Sequence, residues 1–394
     1  MKHVLFVVLP ERGHVHPFLG AAEALRDRGA RVSFYAPRDV RSIVAPLGFL
    51  DVHCPEGAGS PIAAHRGEAF AALLADRDRL RAWIRAMLVD AVEPSIAPLR
   101  AHLVRERPDV VVIDPMAYFA AIAAHEEGLP WLGLSTSLNP CIRDDVESEL
   151  KATLRSLDEA RRALFVAHGI AEPRFRVSDV LSPRGTFVLS TKALLGEALP
   201  DDGVPVHLVG AALPGGPAAS RSRPSAERPL VYASFGSQAY HQPVQHRVVL
   251  EAAREVDARF VIAMGDLAAS PLARSAPSNV EVVDFAPQLS LLAEARVAIT
   301  HGGANSLHEG LAHGVPLLVS PICDDQHHDA ALVAAAGAGR VVDLAHASPA
   351  HVASCLRSLL DEGSPERQVA RSIARSYAGA GGAARIADVV LGVA

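Results

Sequence analysis

Residues 4–36 read VLFVVLPERGHVHPFLGAAEALRDRGARVSFYA. The unbroken apolar run Val4–Leu9 is what a strand buried on both faces requires, and Pro10-Glu11-Arg12 ends it. Pro10 to Pro17 reads as a loop, after which Leu19, Ala22 and Leu25 recur on one helical face. Gly29 stops that helix, and Arg31–Ala36 is a second strand. Strand, helix and strand at this spacing make a βαβ unit, which implies a parallel sheet with helices on both faces. The fold class is therefore α/β.

Asp109–Ile113 and Trp131–Ser135 extend the same sheet. From Ala211 to Pro229 the chain becomes rich in Pro, Gly, Ser and Arg and cannot hold a regular element, so 214–229 is expected to be a linker. The strand pattern then restarts at Leu230–Ala233, Phe260–Met264, Val280–Val283, Val297–Thr300 and Leu317–Ser320. A chain of 394 residues is long enough for two domains. The expected division is 1–213, then 230–375, with a C-terminal helix at 376–394 that can pack back on the first domain. From Glu366 onward the pattern is helical, with a break at Gly379–Gly382.

A net charge of −6 argues against a nucleic-acid partner, which calls for a basic surface. No apolar run reaches the roughly 18 residues needed to cross a bilayer. The first run is also too short for a signal-peptide core. The four cysteines (Cys54, Cys141, Cys323, Cys355) form no Cys-x-x-Cys pair, which suits a reducing, cytoplasmic setting. No Gly-x-Gly-x-x-Gly, Walker or His-Glu-x-x-His motif is present, so dinucleotide, P-loop and zincin chemistry lose their markers.

The densest signal lies between Phe285 and Gln326. Val297–Thr300 runs into His301-Gly302-Gly303-Ala304-Asn305-Ser306, and a helix follows with Leu307 and Leu311 on one face. Glycines before a helix N-terminus let bare N–H groups meet an anion, which the helix dipole also favours. Read alone, the same residues are equally a tight turn, with Ser306-x-x-Glu309 as a capping box. Phe285-Ala286-Pro287-Gln288 precedes this strand, Gly314-Val315-Pro316 ends the helix, and Asp324-Asp325-Gln326 follows the next strand. In order and approximate spacing the stretch resembles the donor signature of the family-1 UDP-glycosyltransferases.

That resemblance implies the GT-B architecture, two facing Rossmann-like domains with parallel sheets and the active site in the cleft between them. It also implies roles for particular residues. Phe285 would stack on the base and Gln288 would bond its edge. His301, Gly303 and the N–H groups near Asn305 and Ser306 would hold the diphosphate, with Ser237 of Ser234-Phe235-Gly236-Ser237 as a second phosphate contact. Glu309 would take the ribose hydroxyls, and Asp325 and Gln326 the sugar hydroxyls. His327-His328-Asp329 departs from the family pattern at the sugar pocket. His327 and His328 read as surface or packing residues, since adjacent helical side chains diverge.

The first domain supplies the second reactant. An imidazole in Gly13-His14-Val15-His16-Pro17, past the end of the first strand, could take a proton near neutral pH, or could simply be a solvated loop residue. The stretch resembles the family's Gly-His-x-x-Pro, which makes His14 the base. Asp114, at the end of the strand after Asp109, resembles its partner carboxylate; a helix cap is the alternative. Segments 57–90 and 141–179 are candidates for acceptor-side elements.

The implied activity is inverting transfer of a hexose, glucose by expectation, from a nucleotide sugar to a hydroxyl of a small hydrophobic acceptor. Macrolides, polyketides and carotenoids are the acceptor classes the resemblance suggests. Glu309 favours UDP-glucose over a TDP-sugar, because deoxyribose would leave it one partner short. No metal and no further cofactor is expected, and Asp76-Arg77-Asp78 reads as a solvated helix face. The chain is expected to be a monomer or homodimer. A nucleotide-sugar epimerase and a noncatalytic protein of the same fold are the rival readings. Both lack a use for His14 and Asp114.

Overall fold

The computed structural model describes residues 1–55, 65–197, 199–201, 203–215, 228–323 and 325–393. Most of the expected linker, 216–227, lies outside them. β1 (His3–Val7) is buried at every position and lies between two parallel partners, β2 (Arg31–Tyr35) and β4 (Val110–Ile113). β3 (Val52–His53) pairs outside β2, and β5 (Trp131–Ser135) pairs outside β4. A short antiparallel hairpin, β6 (Phe175–Arg176) and β7 (Asp179–Val180), stands apart from the sheet. β8 (Thr186–Val188) and β9 (Val206–Leu208) complete the order β3-β2-β1-β4-β5-β8-β9, parallel throughout.

The second sheet repeats the plan. β10 (Leu230–Ser234) lies between β11 (Arg259–Ala263) and β13 (Ala295–Thr300), again in parallel. With β12 (Val280–Val283), β14 (Leu317–Val319) and β15 (Gly339–Val341) the order is β12-β11-β10-β13-β14-β15. The central strands fall where the valine-rich runs predict them. Those that the sequence reading missed, β3, β8, β9 and β15, have two or three residues each and carry no periodicity.

One expectation is corrected. The first helix, α1 (Arg12–Asp27), starts well before Pro17, so residues 12–17 form its opening turns and are not a loop. Glu11 is extended, and its carbonyl accepts from the N–H groups of His14 (2.9 Å) and Val15 (3.1 Å). Proline removes only one helical hydrogen bond, so Pro17 is tolerated once the carbonyl it abandons finds another partner.

The chain returns to the first domain at its end. The helix Pro365–Gly379 packs on the second domain, against Ala304–Ala312. The helix Gly382–Val393 packs on α1 and buries Ile386, Ala387 and Val390 in the first domain's core. Between them Gly382 takes φ +48°, and a Cβ there would lie 2.5 Å from the Ala211 carbonyl oxygen. Only glycine fits this crossing. Ile386→Ala should destabilise the protein by about 2–5 kcal/mol, read as a lower denaturant midpoint. An unchanged midpoint would mean that this helix does not belong to the first domain's core.

Candidate active site

In a parallel sheet a ligand crevice opens beyond the carboxyl ends of the strands, where the strand order reverses. That point lies between β1 and β4 in the first sheet and between β10 and β13 in the second. Residues from both points line one cleft of about 970 Å³ between the domains.

His14 stands in the first turn of α1, just past β1, and Asp114 just past β4. Asp114 is fully buried, and its Oδ2 accepts from His14 Nδ1 at 2.6 Å. Oδ1 accepts from the Met116 N–H at 3.0 Å. Asp114 therefore orients His14 with one oxygen and closes the turn at Met116 with the other; it does not cap the next helix, Tyr118–Glu126, which has Ala117 at its N-cap and no side-chain cap. Burial pulls the His14 pKa down, but the Asp114 carboxylate and its hydrogen bond outweigh this and hold it at about 9. With Nδ1 tied to a carboxylate, Nε2 is the nitrogen left to exchange a proton. His16 is different: burial and the neighbouring Arg12 push it to about 4, so it stays neutral.

Two residues here escaped the sequence reading. Thr136 Oγ1 lies 3.1 Å from His14 Nδ1. Its place just past β5, at the same edge of the sheet, was the available signal. Asp179 lies deeper, its Oδ2 accepting from Ser135 Oγ (2.6 Å) and its Oδ1 from Asn139 Nδ2 (3.2 Å). Burial lifts its carboxyl to about 6. Nothing in the sequence pattern marks this residue, which arrives on the hairpin strand β7. The outer wall of this half of the cleft is apolar and includes Phe70, Trp83, Ile84, Met87, Leu88 and Phe119. Met87 and Leu88 come from a π-helical turn, Ala86–Asp90. Part of the segment 57–90, residues 57–64, lies outside the described residues.

On the opposite wall the His301 ring is held between two glycines. A Cβ at Gly236 or at Gly303 would come within 2.6 Å of its ring atoms. Burial lowers the His301 pKa to about 4, so the ring is neutral until an anion arrives. The helix Ala304–Ala312 begins directly after Gly303, and no side chain caps it. The Ser306–Glu309 capping box does not form, because Asn305 and Ser306 are already inside the first turn. Its leading N–H groups are therefore presented to the cleft as an anion site. Ser237 is exposed on the same wall.

The remaining donor-side residues reach the cleft with unequal freedom. Phe285 is 59% exposed, with the Arg12 guanidinium over its face, 4.9 Å from the ring centre. Gln288 Nε2 donates to Glu309 Oε2 at 2.6 Å, and Gln288 Oε1 accepts from the Tyr232 hydroxyl at 3.0 Å. Burial raises Glu309 to about 7. Asp325 precedes the helix Gln326–Ala336 and lines the cleft. Gln326 turns inward: its Oε1 accepts from the N–H groups of Ile322 (2.9 Å) and Cys323 (3.2 Å) and so shapes its own loop. Of the residues singled out from the sequence, all line the cleft except Asp114, which stands behind His14.

His327 is exposed and His328 half-buried, and among the described residues no cluster of His, Cys, Asp and Glu is arranged to hold a metal. Asp76 caps the helix Arg77–Arg85 by accepting from the Asp78 and Arg79 N–H groups, and Arg77 pairs with Glu149 at 3.1 Å. No helix among the described residues is long and apolar enough to cross a membrane.

Comparison with known proteins agrees with this geometry. Residues 216–372 match the family model described as UDP-glucoronosyl and UDP-glucosyl transferase. The chain is 28% identical over 345 residues to the demethyllactenocin mycarosyltransferase of Streptomyces fradiae, covering 82% of this chain and 71% of that protein. It is 27% identical over 429 residues to the zeaxanthin glucosyltransferase of Pantoea ananas, covering 99% of this chain and 95% of that protein. Among solved structures, the glycosyltransferase of kitacinnamycin superposes with a TM-score of 0.78 at 25% identity, over 99% of this chain and 98% of that one.

A reaction that uses the His14 lone pair needs the neutral imidazole. With the pKa held up at about 9, kcat/KM should climb as pH rises toward 9 and level off above it. Asp114→Asn removes the anion that raises the pKa and leaves burial to lower it, so the limb should move to lower pH while the plateau falls. A limb that stays in place would leave Asp114 only its turn-closing bond to the Met116 N–H.

Proposed function

We propose, from the membership of this chain in the family-1 glycosyltransferases of GT-B fold, that it transfers glucose from UDP-glucose to a hydroxyl of a small apolar acceptor with inversion. The observation that carries this reading is the half-buried His14 paired with buried Asp114, facing an uncapped helix N-terminus across a single cleft. His14 Nε2 takes the acceptor hydroxyl proton as that oxygen attacks the anomeric carbon. The bond from the anomeric carbon to the diphosphate breaks on the opposite face, and the departing charge falls on the first N–H groups of Ala304–Ala312 and on His301. These fixed donors do the work that a divalent cation does elsewhere, so no metal is required. Holding both reactants in one cleft supplies much of the remaining acceleration.

The apolar wall formed by Phe70, Trp83 and Met87 favours a hydrophobic acceptor of the macrolide, polyketide or carotenoid kind. The zeaxanthin-modifying relative lends weight to the last of these. We place the reaction in the cytoplasm. In 5 mM EDTA (about that concentration suffices for any weakly held divalent ion), the purified protein should release UDP from UDP-glucose in step with glucoside formation on a pooled acceptor set. His14→Ala should lose about 10²–10⁴ in rate. Full turnover by that variant removes the base, and complete loss of wild-type turnover in EDTA, restored by magnesium, removes the metal-independent mechanism.

The choice of nucleotide rests on Glu309. It is buried, it is not engaged in a capping box, and Gln288 orients it, so a ribose diol would satisfy its remaining acceptor capacity. A 2′-deoxyribose supplies one hydroxyl fewer. In competition, UDP-glucose should beat TDP-glucose by about tenfold, and Glu309→Ala should flatten that ratio. A wild-type preference for TDP-glucose would reverse the assignment of the donor and leave the transferase reading intact.

A further inference from the structure

Pro17 is the sixth residue of α1 and has no N–H. The carbonyl four residues earlier, on Gly13, therefore loses the partner that a continuous helix would give it. That carbonyl accepts instead from Asn305 Nδ2, at 2.6 Å, from the other side of the cleft. Asn305 lies in the first turn of Ala304–Ala312, the anion-facing end of the donor half. A second contact flanks the first, because Arg12 lies over the Phe285 ring. Residues 12 and 13 are thus both held by the donor half, and the next residue is His14.

We propose that Asn305 is a positioning residue for the base: its side-chain amide, bonded to the carbonyl that Pro17 leaves open, sets the first turn of α1 against the donor half. The proposal rests on the reading of His14 as the base and extends it. A part-buried carbonyl gains from a partner, which favours docking of the helix start on Asn305. The diphosphate needs only the backbone N–H of residue 305, which any side chain leaves in place. Losing the Asn305 amide should therefore displace His14 without weakening the nucleotide, and a displacement of about 1 Å at a reacting group can cost up to about 10²-fold in rate.

The test compares Asn305→Ala, Pro17→Ala, the double variant and His14→Ala. Nucleotide affinity is read by calorimetry with UDP or dTDP, whichever the wild type binds more tightly. Asn305→Ala should lower kcat by about tenfold or more and change the nucleotide Kd by less than about twofold. Pro17→Ala returns an N–H to the Gly13 carbonyl, so on that background the kcat loss from Asn305→Ala should shrink severalfold. Strict additivity of the two changes, or a loss in Kd in place of kcat, overturns the positioning role and makes Asn305 a phosphate ligand. An active His14→Ala overturns the base reading, whereas the coupling between positions 17 and 305 is decided by the double variant.

Discussion

A parallel strand buried on both faces keeps a polar group only where a partner meets it, as Ser33 meets His3 at 2.7 Å, so exposed polar groups gather at the ends of the strands. In this chain that constraint acts twice. The order of the first sheet reverses between β1 and β4, and that of the second between β10 and β13. Helices leave the sheet to opposite sides at those points, and the carboxyl ends stay open. His14 and Asp114 follow β1 and β4, while Ser237 and His301 follow β10 and β13. Apposing the two open edges makes one cleft, and the reacting groups meet without any strand giving up its apolar run.

The electrostatics of the two edges differ in kind. On the first-domain edge a carboxylate raises a histidine, which then holds its proton to higher pH. On the second-domain edge burial lowers the His301 pKa, and among the described residues no carboxylate is hydrogen-bonded to its ring. An anion beside that ring would favour its protonated form. Glu309, raised by its own burial, accepts from Gln288.

Much of this was legible in the sequence because it depends on local pattern. Valine-rich runs located the central strands, and the stretch from Phe285 to Gln326 located the donor wall. What stayed hidden was set by tertiary contacts. Pro17 reads as the end of a loop until a partner for the Gly13 carbonyl is found nearly three hundred positions along the chain, at Asn305. Gln326 reads as a sugar ligand, but its amide oxygen is nearer to two backbone N–H groups of its own loop. Thr136 and Asp179 come from a strand end and a hairpin whose approach to His14 only the folded chain creates. Side-chain direction follows from packing, and packing is not a property of any one stretch.

The two sides of the domain junction are braced very unequally. Next to the cleft-lining residues 211–213 the chain crosses between domains through close backbone contacts. The Gly382 N–H donates to the Val209 carbonyl at 2.7 Å, and a Cβ at Gly210 would lie 2.5 Å from the Tyr377 carbonyl oxygen. Ser376 Oγ donates to Thr191 Oγ1 at 2.9 Å beside this crossing. Across the cleft mouth the links include Asn305 to Gly13, Arg12 to Phe285, and the Gly67 N–H to the Gln238 carbonyl at 2.9 Å. A few hydrogen bonds and one cation–π contact are each worth about 1 kcal/mol, which thermal motion and a ligand can exchange. The close-packed crossing cannot shear without steric overlap. The crossing at Gly210 and Gly382 thus resists relative movement of the two domains more than the contacts across the cleft mouth do.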